Sequence, residues 1–378
     1  MSTTTQTSTA GMTDLFETPA SDADVEVFST RVVAATLGAM EVLALHLGRT
    51  LGWYQALIDE GPLTSVELAH RTGTQERYAR EWLEQQAVTG YLLVDDDTAA
   101  PTERRFHVAP GAVEVLTDAD SPAHTAPLAG FAVAAGRRFD DFVEAYRHGG
   151  GVSWAQLGPD ARSAQAAFNR PLFLHQLAQE IVPALPELHS RLLGSARVAD
   201  IGSGEGWSTI GLARGFVSAT FEGFDVDEPS VTAARRHASA HGVDDRVTFS
   251  TVDAADLRES RSGEFDVVMA YECVHDMPDP VGVLSAMREM VRDDGYVLVM
   301  DERAAETFAA PGDLTERLLY GFSILCCLPD GLSTPGGVGT GTVMRPSVLA
   351  DYARAAGFSA VEILPVEHDF FRFYRLRL

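Results

Sequence analysis

A short apolar strand ending at Ile201 runs into the turn Gly202, Ser203, Gly204, Glu205, Gly206 and then directly into a helix pattern. No other feature restricts the fold as much. Glycine supplies the positive φ that a sharp strand-to-helix reversal needs, and it admits a ligand to the backbone where a Cβ would obstruct it. A second apolar run ends about 20 residues later at Asp225, where nucleotide-binding βαβ units place the acid that holds ribose hydroxyls.

The series continues along the chain. Asp227 to Ser230 provide a capping acid and an opening proline for a helix through Ala240. A third strand, Val247 to Val252, ends in Asp253 and Ala254, and a fourth, Phe265 to Ala270, ends in Tyr271, Glu272, Cys273, Val274, His275 and Asp276. A fifth, Tyr296 to Met300, ends in Asp301. Acids therefore recur at the C-terminal ends of successive strands, where open α/β sheets bind ligands. A dinucleotide fingerprint requires glycine at the sixth position of the turn, which here is Trp207. Asp200 and Glu205 beside the turn oppose a pyrophosphate and suit a sulfonium and an ammonium.

With these neighbours, the segment from Val198 to Trp207 resembles motif I of class I S-adenosylmethionine (SAM) methyltransferases. The resemblance implies an α/β, Rossmann-like domain with a mostly parallel seven-stranded sheet, SAM as cofactor and S-adenosylhomocysteine (SAH) as product. It implies Gly202, Ser203 and Gly204 around the amino-acid end of SAM, with Asp200 and Glu205 shaping the charge there. Asp225 and Val226 fall at the ribose, Asp253 and Ala254 at the adenine, and Tyr271 also belongs to the cofactor set. The stretch Cys273 to Asp276 is similar to small-molecule O-methyltransferases of the plant caffeate type, in which the histidine of a His-Asp pair is the general base. That likeness implies His275 as base, with Asp301 or Glu302 holding its imidazole. Met277 and Pro278 replace the tryptophan that usually follows the pair. The alternative for His275 is a ring bonded to backbone at a helix start. Glu272, Asp276, His275 and His368 lack tight ligand spacing, so no catalytic metal is expected.

The chain has 378 residues, a net charge of −25 and no lysine. That charge opposes sequence-independent binding of nucleic acid and of anionic membranes, and the missing lysine excludes Schiff-base and P-loop chemistry. Cys273, Cys326 and Cys327 offer neither a disulfide framework nor a zinc-ligand pattern, which fits a reducing cytoplasm. No signal peptide is evident, and no apolar run is expected to approach membrane-spanning length. Residues 1–23 are expected to form a disordered tail.

Residues 24–108 read as a winged-helix and dimerisation domain. The helix from Asp24 to Leu47 has two apolar stripes, one through Phe28, Val32 and Ala39 and another through Val33, Leu37 and Met40, explained by burial either in a dimer or within the protomer. Thr64 and Glu67 have capping-box spacing. Thr74 is expected to open the next helix, with Tyr78, Trp82, Leu83 and Ala87 inward, and Tyr91–Val94 is expected to pair with Arg105–Val108. The default meaning of a winged helix is DNA binding, but Glu76, Glu81 and Glu84 offset Arg77 and Arg80. The whole resembles bacterial methyltransferases that join such a domain to a SAM domain.

Residues 109–193 form a helical linker and cap with a flexible break at Gly149–Gly151. Trp154, Asn169, Arg170 and Phe173 are expected to face the pocket and wall off substrate. Residues 194–378 make the SAM domain, in which the insertion 302–345 forms a lid carrying Tyr320 as a further substrate residue. The strands Ala360–Leu364 and Phe370–Leu376 supply the reversed hairpin edge of methyltransferase sheets. The expectation is a dimeric, cytoplasmic SAM-dependent methyltransferase acting on a small molecule, with oxygen the favoured acceptor atom. A SAM-sensing winged-helix regulator is the alternative, and Trp207 disfavours a nicotinamide oxidoreductase.

Overall fold

The computed structural model describes residues 21–378, so most of the expected tail lies outside the described residues. Its last residues are not tail: Ser21 caps helix α1 (Asp22–Thr50) through a reciprocal capping box with Asp24. Phe28, Val32, Val33, Leu37, Met40 and Leu47 are all exposed on α1, so burial within the protomer covers only the C-terminal part of the helix, where Val42 is half-buried and Ala44 and Leu45 pack on the winged-helix core. Contrary to expectation, α1 is long and apolar enough to cross a membrane.

Helices α2 (Trp53–Glu60), α3 (Ser65–Thr72) and α4 (Glu76–Thr89) precede an antiparallel pair, β1 (Leu92–Val94) and β2 (Phe106–Val108), completing a winged helix. Its core is aromatic, with the Trp82 ring 4.8 Å from Trp53 and 5.0 Å from Tyr54. Two expectations fail here. Tyr78 points outward, 75% exposed, because the buried stripe of α4 runs through Ala79, Trp82, Leu83 and Gln86 and Tyr78 lies about 100° away from Ala79. Thr74 does not cap α4; Gln75 is the cap residue, and Thr74 Oγ1 accepts a hydrogen bond from Trp53 Nε1 at 3.3 Å.

The middle of the chain is helical: α5 (Pro110–Thr117), α6 (Ala129–Arg137), α7 (Phe139–His148), α8 (Trp154–Leu157), α9 (Pro159–Pro171) and α10 (Pro186–Leu193). Leu172–Ile181 continues α9 with π-helical winding. The expected flexible break at Gly149–Gly151 holds a packed junction at its last residue, while Gly149 and Gly150 are exposed. A Cβ on Gly151 would overlap the Pro329 carbonyl oxygen, and Val152 N–H donates to that same oxygen at 3.1 Å.

The C-terminal half opens with β3 (Arg197–Ile201), α11 (Trp207–Gly215), β4 (Thr220–Asp225), α12 (Glu228–Ala240), β5 (Val247–Thr251), β6 (Phe265–Tyr271), α13 (Pro280–Met290) and β7 (Val291–Glu302). The lid insertion follows with α14 (Leu314–Phe322), the π-helical turn Ser323–Cys327 and α15 (Leu328–Gly331). The chain ends in α16 (Pro346–Ala355), β8 (Ala360–Ile363) and β9 (Phe371–Arg377). The sheet order is β5-β4-β3-β6-β7-β9-β8, and β9 alone runs against the other six strands. Strands buried on both faces read as near-continuous apolar runs, as Val267–Tyr271 does. Strand order reverses between β3 and β6, and the crevice at that switch point is where such sheets bind ligands.

Gly211 sets how closely the cap approaches the sheet domain, because a Cβ there would overlap the Phe173 carbonyl oxygen in the π-helical segment. Gly211→Ala should therefore cost about 1–3 kcal/mol through overpacking. Thermal unfolding should show a lower Tm, and an unchanged Tm would mean that this contact is not tight.

Candidate functional site

A cavity of about 580 Å³ occupies the switch point. Gly202, Gly204 and Gly206 all have positive φ, at 68°, 52° and 84°. A Cβ at Gly202 would stand 2.7 Å from Cys273 Sγ, whereas a Cβ at Gly204 would meet nothing within 4 Å. The turn therefore packs on one side and leaves its backbone open to the cavity on the other. Ser203 Oγ, buried at the cavity wall, has no hydrogen-bond partner among the described residues.

Asp225 braces this turn. One carboxylate oxygen accepts from Gly204 N–H and the other from Asp227 N–H, both at 2.8 Å, and burial raises the pKa. Each oxygen keeps lone-pair capacity for a ligand hydroxyl. Asp227 caps α12 by accepting from Ser230 and receives Arg162 from α9 in a bidentate pair at 2.6 Å. Sequence reasoning missed Arg162, because an ion pair across so many residues leaves no local pattern.

Glu205, Val226, Asp253, Ala254 and Tyr271 line the same cavity as Asp225 and the glycine turn. Asp200 does not. It lies beneath the turn, where its Oδ2 accepts from the Ser208 and Thr209 hydroxyls at 2.6 Å each, and burial lifts its pKa to about 6. Adjacency in sequence misled here, since successive strand residues point to opposite faces.

Trp154, Asn169 and Phe173 line the cavity; Arg170 and Tyr320 are corrections. Arg170 turns away from Asn169 around the helix, pairs with Asp120 at 2.8 Å and lies 5.2 Å over the Trp207 ring. Tyr320 borders a separate surface groove with Phe308 and Ile324, and its hydroxyl accepts from Arg345 at 3.4 Å.

His275 is 2% exposed at the inner wall of the cavity. Its Nδ1 lies 2.8 Å from Asp301 Oδ1 and 3.1 Å from Glu302 Oε2, and its Nε2 lies 3.1 Å from Asp276 Oδ1. Carboxylates thus surround the ring, in place of the backbone bond that the structural alternative required. Burial opposes charge on the imidazole, but Asp276, Asp301 and Glu302 outweigh it and hold the pKa well above the ordinary value. Nearby Glu272, at a positive φ of 51°, accepts from Gln165 Nε2 at 2.9 Å and from Asn169 Nδ2, and burial pushes its carboxyl up to about 8. The lid clamps this loop: Gly341 N–H donates to the His275 carbonyl at 3.1 Å and Val338 N–H to that of Pro278 at 3.0 Å. The loop with Met277 and Pro278 is therefore tied to the lid by backbone bonds.

Metal-capable side chains also meet at His275, with Asp276 and Cys327 on one side and Asp301 and Glu302 on the other. His368 is not part of that cluster. Its Nδ1 accepts from Phe370 and Phe371 N–H at 3.1 Å in a turn.

The family defined as "Methyltransferase domain" matches residues 193–321, and the "Rv2258c-like winged HTH domain" matches residues 39–117. A ubiquinone biosynthesis O-methyltransferase of Aromatoleum aromaticum is 31% identical over 180 residues, covering 47% of this chain and 70% of that enzyme. This chain belongs to the SAM-dependent methyltransferase family. The enzyme of the same description from Thiobacillus denitrificans is 29% identical over 178 residues, covering 47% of this methyltransferase and 70% of that enzyme. Among solved structures, the mitomycin 7-O-methyltransferase MmcR aligns at a TM-score of 0.70 with 23% identity, over 94% of this chain and 99% of its own. Human N-acetylserotonin methyltransferase in complex with SAM aligns at 0.66 with 16% identity, over 92% and 97%. These last likenesses show that the methyltransferase shares its fold with both structures along nearly its whole length. Its cofactor is SAM, and the open glycine turn, the unpartnered Ser203 hydroxyl and the braced Asp225 fit that molecule.

Proposed function

We propose that this methyltransferase methylates an oxygen of a planar small molecule, with His275 removing the acceptor's proton. The observation that carries the reading is the buried His275–Asp301 pair on the wall of the same cavity that holds the glycine turn and Asp225. The O-methyltransferase names of the curated relatives support the choice of oxygen.

SAM supplies a methyl group already activated as a sulfonium. Gly202, Ser203 and Gly204 hold its amino-acid end, with Glu205 contributing negative charge. Asp225 and Val226 take the ribose, and Asp253 and Ala254 the adenine, with Tyr271 beneath. Asp200 acts through α11, fixing the helix start under the turn. Trp154, Asn169 and Phe173 wall the acceptor and exclude water. Asp301 positions the imidazole by accepting from Nδ1, and Nε2, beside Asp276, takes the acceptor's proton once the ring is in its neutral form. Orientation contributes on the order of 7–11 kcal/mol to such a displacement, and the base roughly 10²–10⁴-fold. The test is incorporation from methyl-labelled SAM into a metabolite extract. Label should appear as a methoxy group of a small product; label on nitrogen or carbon alone, or none, would sink this reading.

A second copy of the chain covers α1, whose apolar stripes are otherwise left in water. Velocity sedimentation should show a dimer, and Val33→Asp with Met40→Asp should shift it to monomer; a monomeric wild type would contradict this. Three free cysteines fit a reducing compartment, and we place the enzyme in the cytoplasm. The regulator alternative draws on the winged domain alone. There Arg77, Arg80, Arg104 and Arg105 are paired with Glu81, Glu76, Glu84 and Glu67, leaving that surface little cationic character for phosphates.

A further inference from the structure

The charge of the cavity walls bears on what the acceptor can be. Among the described residues, the cations that line it are Arg162, spent on Asp227, and His275, enclosed by three carboxylates. The loop after β6, the tip of β7 and the lid contribute five acids, Glu272, Asp276, Asp279, Glu302 and Asp330, of which burial holds Glu272 and Glu302 towards the neutral form. SAM brings one net positive charge, as a sulfonium and an ammonium offset by a carboxylate. That charge lies with its amino-acid end and cannot neutralise the lid side.

The hydrogen-bonding groups left over point the same way. Gln165 and Asn169 spend amide donors on Glu272, and Asn169 Oδ1, on a cavity-lining residue that is 8% exposed, is an acceptor with no partner among the described residues. A buried acceptor left empty costs about 1–3 kcal/mol, so the molecule that belongs here brings donors. Asp330 accepts from Trp154 N–H at 2.7 Å with one carboxylate oxygen, leaving the other for a ligand. The Trp154 ring and the edge-to-face pair Phe131–Phe322, 5.3 Å between centroids, line the same cavity. Carboxylate beside aromatic faces is the chemistry that recognises a desolvated ammonium.

Resting on the methyltransferase reading of the cavity, we propose that the acceptor carries a protonated amine, seated on Asp330 against Trp154 while its hydroxyl faces His275. Burial and Asp276 push the Asp330 carboxyl up to about 7, and the opposite charge of an arriving ammonium favours its ionised form.

Three phenols that differ in the charge of one tail test this: tyramine, para-ethylphenol and para-hydroxyphenylacetate, each titrated by calorimetry into the full-length protein saturated with SAH. Tyramine should bind at least about tenfold tighter than para-ethylphenol, a difference of about 1.4 kcal/mol, and the carboxylate should bind weakest. Asp330→Asn, which keeps an acceptor for Trp154 N–H, should abolish the advantage of tyramine; SAH binding checks that the variant is folded. Equal affinities, no binding of any of the three, or a preference for the carboxylate would overturn the proposal in wild type, whether or not the variant folds. Failure of SAH itself to bind would strike at the methyltransferase reading instead.

Discussion

His275→Ala should lower kcat by roughly 10²–10⁴-fold, the contribution expected of a positioned base, while leaving SAM affinity nearly unchanged. The imidazole touches Asp301, Glu302 and Asp276, none of which belongs to the glycine turn, so its loss should leave the cofactor seat intact. Turnover and calorimetry on the same preparation check this, and a large loss of SAM affinity would reassign His275 to a structural role. The pH profile carries the same information. Because the surrounding carboxylates hold the imidazole charged above its ordinary value of 6.5, kcat should climb as pH rises through the elevated value, where the neutral base appears. Asp301→Asn removes one of those charges and should move that limb to lower pH. The ion pairs contribute stability that is full below the unfolded value and is lost as pH rises through the folded one. Asp301→Asn should therefore lower Tm more at mildly acidic pH than at alkaline pH.

Asp225→Ala should weaken SAM and SAH together, by about 100-fold or more. The substitution strands the N–H groups of Gly204 and Asp227, which now donate to its two oxygens at 2.8 Å, and each stranded donor costs about 1–3 kcal/mol. It also removes the proposed acceptor for the ribose hydroxyls. A hundredfold loss corresponds to about 2.7 kcal/mol. SAM and SAH share the ribose and differ at sulfur, so a loss confined to SAM would place Asp225 at the sulfonium instead.

Much of the catalytic half was legible because the parallel strands and the turn obey local rules. Strand, positive-φ glycine and helix follow one another within a dozen residues, and the acids at strand tips fall on one edge of the sheet whatever the rest of the chain does. The cavity side of each residue was less legible. Asp200 precedes the turn yet points beneath it, and Arg170 neighbours Asn169 yet faces Asp120. One residue changes the face of a strand, and about 100° the face of a helix, so a motif locates a site before it locates its walls. Long-range partners were invisible in principle. Arg162 on Asp227, Gln165 on Glu272 and Trp154 on Asp330 join segments that only folding brings together. The break at Gly149–Gly151 is instructive: three glycines suggested freedom, and the last of them, Gly151, permits a close backbone contact with the lid instead.

The account stands on one cavity receiving the nucleoside and the amino-acid tail of SAM between the glycine turn, Asp225 and Asp253. Calorimetric titration of the full-length protein with SAM, SAH and NAD tests this most directly. SAM and SAH should each bind at one site per chain, and NAD should not bind. Binding of NAD, or no heat from SAH, would contradict it.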